Sequence, residues 1–325
     1  MLKIFRKNFV FKLVLGLFLF TALSLFLLPP AQAKPRLGKE QIKVIMIGDR
    51  LVDIAYNLGV VPEAMAIRCS WPAASNQLST VRHLGCPKRV TVKKKGVVAK
   101  VARKRGIKKI MVEKSKNFCL YRPEMDPMKI LPLLEGKGFE VQVVDFSQGI
   151  ESAIRQTAKL VNREEKAEEL IRTYKRVLQK FQSKMPETKL NKKVLVLNGI
   201  VQKGTGKAFI QVLAPNGYED RFFLKPMGCT NVGNLIKPEG AKVKKGVFPL
   251  QRLKKIGKSN PDIIIITGKA FAVQNALYKA LKKNPSLSEV PAIKNHEIYS
   301  LPRYIDSSVI EYPQILRLWT RALYK

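Results

Sequence analysis

Between residues 147 and 185, Ile150, Ile154, Val161, Ala167, Leu170, Ile171, Tyr174, Val177, Leu178 and Phe181 recur at three- and four-residue steps, with Glu, Arg and Lys between them. That period puts one apolar stripe on a helix and leaves the opposite face in water. Ser147 can cap the start, Pro186 stops the end, and Asn162 with Glu165 three residues on reads as a second N-cap inside the stretch. The spacing predicts a short helix, a break near Asn162, and then a spine of about 20 residues, roughly 30 Å long.

On both sides the pattern changes to short apolar runs alternating with helical periods. Residues 42–47 are a strand signal broken by Gly48, Asp49 and Arg50, and helical spacing through Leu51, Ile54, Ala55 and Leu58 then ends at Gly59. Apolar runs at 64–67, 90–92, 110–112 and 141–144, with helical patterns near 97–104 and 128–136, complete this segment. Beyond the central helix, 193–197 reads as a strand turning at Asn198 and Gly199, and 261–266 as a buried central strand. Thr267 and Gly268 open a helix through Phe271, Val273, Ala276, Leu277 and Leu281; 297–301 is a last strand, and 307–324 a helix interrupted at Pro313. Residues 199–246, rich in Gly, Lys and Pro, read as exposed loops near the mouth of a cleft. The fold class expected is α/β, with two lobes of mainly parallel sheet covered by helices and joined by a single long helix. The boundaries are 1–33, 34–146, 147–186 and 187–325.

The first of these segments has a basic start (Lys3, Arg6, Lys7, Lys12), an apolar run over 13–28, and Ala31-Gln32-Ala33 before a cut at Lys34, the pattern of a cleaved signal peptide. An uncleaved anchor competes, since the run approaches spanning length. No cysteine follows the cut, so lipid attachment there is not expected, and no second apolar run of spanning length marks a permease. Lys and Arg number 60 against 24 Asp and Glu, a net charge of +36, and only four of the basic residues fall in the signal. In an exported chain this excess points to an anionic ligand, lipopolysaccharide or an anionic membrane rather than nucleic acid. Widely spread lysines without interleaved aromatics also fit a plain solvated basic face.

Ligands of open α/β sheets bind beyond the carboxyl ends of the strands, so the turns there hold the candidates. They are Arg50 after the first strand, Arg68, Cys69 and Trp71 after the second, and Cys119 and Tyr121, with Phe118 and Arg122, after the third. The second segment adds Tyr218, Arg221, Arg303 and Tyr304, with Cys229 and Asp306 behind them. Aromatic rings, guanidinium forks and sulfur suit a flat, anionic or metal-containing ligand. A disulfide between two loops, with Trp71 packed on it, is the plainer alternative. The four cysteines, Cys69, Cys86, Cys119 and Cys229, allow three pairings among which sequence does not choose, and none forms the C-x-x-C of a zinc or c-type heme site. Direct metal ligation would draw on these cysteines, His83, His296, Met125 and Met128.

Catalytic motifs are scarce. A phosphate loop at 199–206 fails because Thr205 follows Gly204 and Ala208 follows Lys207, and neither G-x-S-x-G nor H-E-x-x-H occurs. Thiol chemistry stays open, since Cys69 and Cys119 have basic neighbours.

Three stretches together resemble a known family: 53–59 (DIAYNLG), 165–171 (EKAEELI), and 260–266 (NPDIIII) followed by AIKNHEIYSLP at 292–302. Their order and spacing are similar to periplasmic substrate-binding proteins of ABC importers for iron complexes and cobalamin, over nearly all of 42–324. The resemblance implies a monomeric periplasmic receptor, with no catalytic residue and no resident cofactor. It closes slightly around an iron chelate, heme-like or cobalamin-like molecule and delivers it to an ABC permease in the inner membrane. The alternatives are a direct transition-metal receptor with Cys, Met or His ligands, and a thiol-dependent periplasmic enzyme. In the family, glutamates on two outer helices engage permease arginines; the matching stretches here, 97–105 and 250–256, hold no carboxylate, so docking by those salt bridges is not expected.

Overall fold

The apolar run at 42–47 lies within strand β1, Glu40–Ile47, where alternate residues face opposite ways. The computed structural model describes residues 39–68, 78–115, 118–122, 124–183, 187–304 and 309–324. The expected signal peptide and its cleavage site, and the candidates Cys69, Trp71 and Asp306, lie outside the described residues. The chain divides into residues 1–39 and a unit from Glu40 to Lys325, and only the latter is considered below.

In this unit β1 joins β2 (Val60–Ala66), β3 (Arg82–Gly85), β4 (Lys109–Lys114) and β5 (Glu140–Asp145) in a wholly parallel sheet of order β3-β2-β1-β4-β5. Two helices cover it closely, α1 (Asp49–Asn57) and α2 (Val97–Arg105). Val44 and Met46 pack on one face with Leu51, Ile54 and Ala55 of α1, and Ile45 and Ile47 on the other with Val98, Val101 and Ala102 of α2. Each such fully buried aliphatic side chain contributes about 1.5–3 kcal/mol.

After a short helix α3 (Leu131–Leu134) come α4 (Ile150–Leu160) and α5 (Glu164–Gln182), the predicted pair with a break between. Asn162 marks the break by a left-handed φ of 54° rather than by capping, and the N-cap of α5 falls on Arg163. Nor does Ser147 cap α4: it lies in a 3₁₀ turn, and Gly149 holds the N-cap position.

The second sheet contains β6 (Lys193–Val201), β7 (Ala208–Leu213), β8 (Thr230–Asn231), β9 (Val247–Pro249), β10 (Ile263–Gly268) and β11 (Ile298–Ser300). Its order is β11-β10-β6-β7-β9, with β8 beside β6. The pairs β11/β10, β10/β6 and β6/β8 are parallel, while β7 runs antiparallel between β6 and β9. The helices of this part are α6 (Ile256–Ser259), α7 (Ala270–Lys283), α8 (Pro291–Lys294) and α9 (Tyr312–Leu323). Leu195, Leu197, Ile264 and Ile266 pack with Val273 and Leu277 of α7; Val194, Val196, Ile263 and Ile265 pack with Ile315, Leu316 and Trp319 of α9.

Several expectations are corrected. Residues 90–92 are not a strand but part of a π-helical turn, Arg89–Lys93, closed by a bond from the Lys94 N–H to the Arg89 carbonyl. A three-residue apolar run is too short to distinguish the two. β6 does not turn at Asn198 and Gly199 but continues to Val201, because β7 pairs with that extension. Residues 199–246 are therefore not all loop. The pattern at 128–136 gives only a 3₁₀ turn and α3. Pro313 opens α9 rather than interrupting it, since a first-turn N–H has no helical partner to lose. No helix among the described residues is long and apolar enough to cross a membrane.

Candidate functional site

The carboxyl ends of β1, β2 and β4 converge on the start of α1. The chain leaves β1 through Gly48 at φ 136°, and a Cβ there would stand 2.3 Å from Cβ of Glu113, so only glycine fits this turn. No side chain of its own caps α1; instead Glu113, from β4, accepts hydrogen bonds on Oε2 from the N–H groups of Arg50 (2.9 Å) and Leu51 (3.4 Å). Ser115 Oγ donates to its other oxygen at 2.6 Å. A carboxylate on orphan N–H groups at the positive end of a helix replaces an N-cap. Glu113 is wholly buried, and burial pushes its pKa up, against the pull of Arg50 and Ser115.

Asp49, also buried, accepts from the backbone N–H of Arg68 at 2.7 Å and pairs with the Arg68 side chain. Burial works against the Arg68 charge, but Asp49 beside it holds its pKa above the ordinary value. The guanidinium lies 5.7 Å from the centre of the Phe118 ring, and its Nη1 is buried with no hydrogen-bond partner. Such an orphaned donor costs about 1–3 kcal/mol unless something arrives to accept from it.

Arg68 lines a cavity of about 1040 Å³ together with Cys86, Cys119, Tyr121, Arg122 and Met125 from the first lobe. The second lobe contributes Gln211 of β7, the 240–245 loop with Lys242, Lys244 and Lys245, residues Val247 to Pro249 of β9, and Arg303. A smaller cavity of about 250 Å³ holds Arg50, Tyr218, Arg221 and Tyr304, with Leu120, Phe146, Ile150, Phe222 and Val309.

Tyr121 lines the larger cavity and Tyr218 the smaller, and the two residues tie the lobes together. Tyr218 Oη accepts from the Leu120 N–H at 2.8 Å, and Tyr121 Oη accepts from the Tyr218 N–H at 3.2 Å, with the rings edge to face at 5.2 Å. Burial, with the Glu219 charge, pushes the Tyr121 hydroxyl up to about 12, so it remains protonated. Gly246, at φ 76°, lies so close that a Cβ would stand 2.3 Å from the Tyr121 ring. Tyr304 stacks on Phe222 at 3.9 Å, and Arg303 pairs with the buried Glu219 at 3.3 Å.

The structure therefore gathers Arg68, Cys119, Tyr121 and Arg303 around one cavity, and Arg50, Tyr218, Arg221 and Tyr304 around another. Cys229 lines neither; it sits in the core of the second lobe, where burial pushes its thiol up. His83 and His296 line neither cavity, and Met128 packs into a core. Among the described residues no group of three or more His, Cys, Asp or Glu converges to hold a metal. Cys86, Cys119 and Cys229 are free thiols. Sequence reasoning missed the capping role of Glu113, which it placed in the turn after the run 110–112 rather than in β4, and also Gln211, Lys242, Lys244 and Lys245. Gly217 and Gly246, both pressed on Tyr121, were the available signal for the last group.

A family model described as periplasmic binding protein matches residues 135–305. The fold is similar to that of the periplasmic heme-binding protein HutB of Vibrio cholerae, at 19% identity and TM-score 0.51, covering 88% of this chain and 100% of that one. It is also similar to the periplasmic heme-binding protein RhuT from Roseiflexus sp. RS-1 in apo form (15% identity, TM-score 0.52, 88% and 98% covered). A periplasmic solute binding protein from Veillonella parvula is similar at 17% identity and TM-score 0.55, over 87% of this chain and 81% of that one. No curated protein sequence matches the chain.

Proposed function

The chain belongs to the periplasmic binding protein family, and from that premise we propose that it is the soluble receptor of an ABC importer. It captures an anionic iron chelate, heme-like or cobalamin-like molecule between its lobes and delivers it to a permease of the inner membrane. The observation that carries this reading is the 1040 Å³ cavity, whose apolar and aromatic wall meets Arg68, Arg122, Arg303 and three lysines, with Arg68 Nη1 left unpartnered. Cavities of this size take cofactor-sized ligands, and guanidinium and ammonium groups in the lining suit a ligand with carboxylate or hydroxamate oxygens. The heme-binding proteins of similar fold support a flat metal chelate as the cargo.

In this reading the chain is exported with cleavage before Lys34, works as a monomer, carries no resident cofactor, and binds, closes and releases without covalent chemistry. Docking on the permease rests on contacts other than the two family glutamates. The helix end that would carry one of them exposes Arg103, Lys104 and Arg105.

Native mass spectrometry and ultraviolet–visible spectroscopy of the protein isolated from its host's periplasm test the proposal. A co-purifying metal chelate is the expected result; an empty, colourless protein that takes up no chelate overturns it. The free sulfurs Cys86, Cys119 and Met125 in the same cavity wall favour a second reading, direct capture of a metal ion, which the same spectra distinguish by a metal without an organic carrier.

A further inference from the structure

Three sulfur-bearing side chains, Cys86, Cys119 and Met125, line the large cavity and pack in one cluster with Phe118 and Tyr121. Their convergence is built by the backbone. Cys86 follows β3 at the head of the π-helical turn, its carbonyl accepting from Arg89 and Val90. Cys119 opens a turn closed by the Arg122 N–H on its carbonyl, and the Met125 N–H in turn bonds the Arg122 carbonyl, which holds Met125 close to Cys119. An ion pair at 3.1 Å from Lys88, two residues past Cys86, to Glu124, next to Met125, straps the two segments together. The Leu120 N–H on Tyr218 Oη anchors the loop from the other side. Cys86 and Cys119 are both free thiols.

Two thiols and a thioether form a soft donor set. Lys242, Lys244, Lys245, Arg68 and Arg122 line the same cavity and favour a metal wrapped in an anionic carrier over a bare cation, without barring a thiophilic ion from the sulfurs. Resting on the receptor reading above, we propose that Cys86, Cys119 and Met125 are metal ligands, binding the metal centre of the captured complex from the cavity wall while the basic lining holds the carrier's anionic groups. On binding, each thiol that coordinates gives its proton to solvent as its sulfur–metal bond forms, with no change in oxidation state. The cargo class is then an anionic complex whose metal leaves coordination positions open to sulfur.

Cadmium titration of the purified full chain, followed by the ultraviolet absorbance of the thiolate–cadmium bond, tests the site. The expected result is a band saturating at one ion per chain, lost in Cys86→Ser and in Cys119→Ser, with Met125→Leu keeping the band but binding roughly tenfold more weakly. Cys86 is partly exposed, so its serine variant folds even where the Cys119 variant does not, and circular dichroism checks both. The assignment is overturned by no band in the wild type, by a band that survives the Cys86→Ser change, or by a disulfide engaging either cysteine in a non-reducing peptide map of the exported protein. It is also overturned if a chelate co-purifies from the periplasm with the same spectrum in wild type and Cys86→Ser, an outcome that leaves the receptor reading standing. Sulfur-bound cadmium in a protein that takes up no chelate does the reverse.

Discussion

At Glu113 a single carboxylate performs three tasks: it caps α1, it holds Ser115, and it supports a turn so tight that Gly48 has no room for a Cβ. The cost is a charge out of water. Burial holds the pKa of Glu113 above its ordinary 4.5, so the folded state keeps that proton to higher pH than the unfolded chain does. A group with a raised folded pKa contributes its stability in full below the unfolded value and loses it as pH rises through the folded one. Glu113→Gln keeps an acceptor for the Arg50 and Leu51 N–H groups without titrating. The variant is therefore expected to match wild type below about pH 4 and to become progressively more stable than it as the pH rises above the unfolded value, read from chemical denaturation across pH. Parallel stability profiles would show that Glu113 has the same pKa folded and unfolded, against the effect of its burial. None of this was visible in the sequence, where Glu113 looked like the first residue of a loop; its role arises from sheet register, which puts the end of β4 against the end of β1.

Elements that carry their own period were legible, and elements that depend on a distant partner were not. The α4–α5 pair and the strands β1, β6 and β10 announced themselves by spacing and by apolar runs. β7 and β9 did not: β7, AFIQVL, is apolar enough but is set in a stretch rich in Gly, Lys and Pro that reads as loop, and β9, VFP, is too short to announce itself. Those two strands and the loop before β9 supply much of the lining of the large cavity, which is why half of the candidate site escaped notice. The contact between α1 and the segment before α9 was equally hidden. Asp53 Oδ2, buried on α1, accepts from the N–H groups of Val309 (2.7 Å) and Ile310 (3.4 Å), a bond across 256 residues of sequence. Asp53→Ala should cost about 1–3 kcal/mol and speed amide hydrogen exchange at Val309 and Ile310 in particular. Exchange unchanged at those two amides would show that packing alone holds the segment.

Over the whole molecule, the net charge of +36 divides into a diffuse coat and a directed part. The coat raises the potential everywhere and says nothing about a site. The directed part is the lining of the large cavity, where Lys242, Lys244 and Lys245 belong to one short loop and share the cavity with Arg68 and Arg122. Charges spread over a surface are screened within about 8 Å at physiological salt, whereas charges gathered at a low-dielectric mouth focus the field on an approaching anion. The two contributions separate kinetically. Replacing the three loop lysines with glutamine removes only three of the 60 basic residues, so the coat is nearly intact. Association of an anionic chelate should nevertheless slow by roughly three- to tenfold at low salt, and the difference should shrink as salt rises. Dissociation should change far less, because charges that steer an encounter are mostly hydrated in the complex. Stopped-flow mixing with hemin across a salt series measures both rates. Equal slowing by three lysine-to-glutamine changes elsewhere on the surface would assign the effect to the coat, and the lining lysines would lose their role in capture.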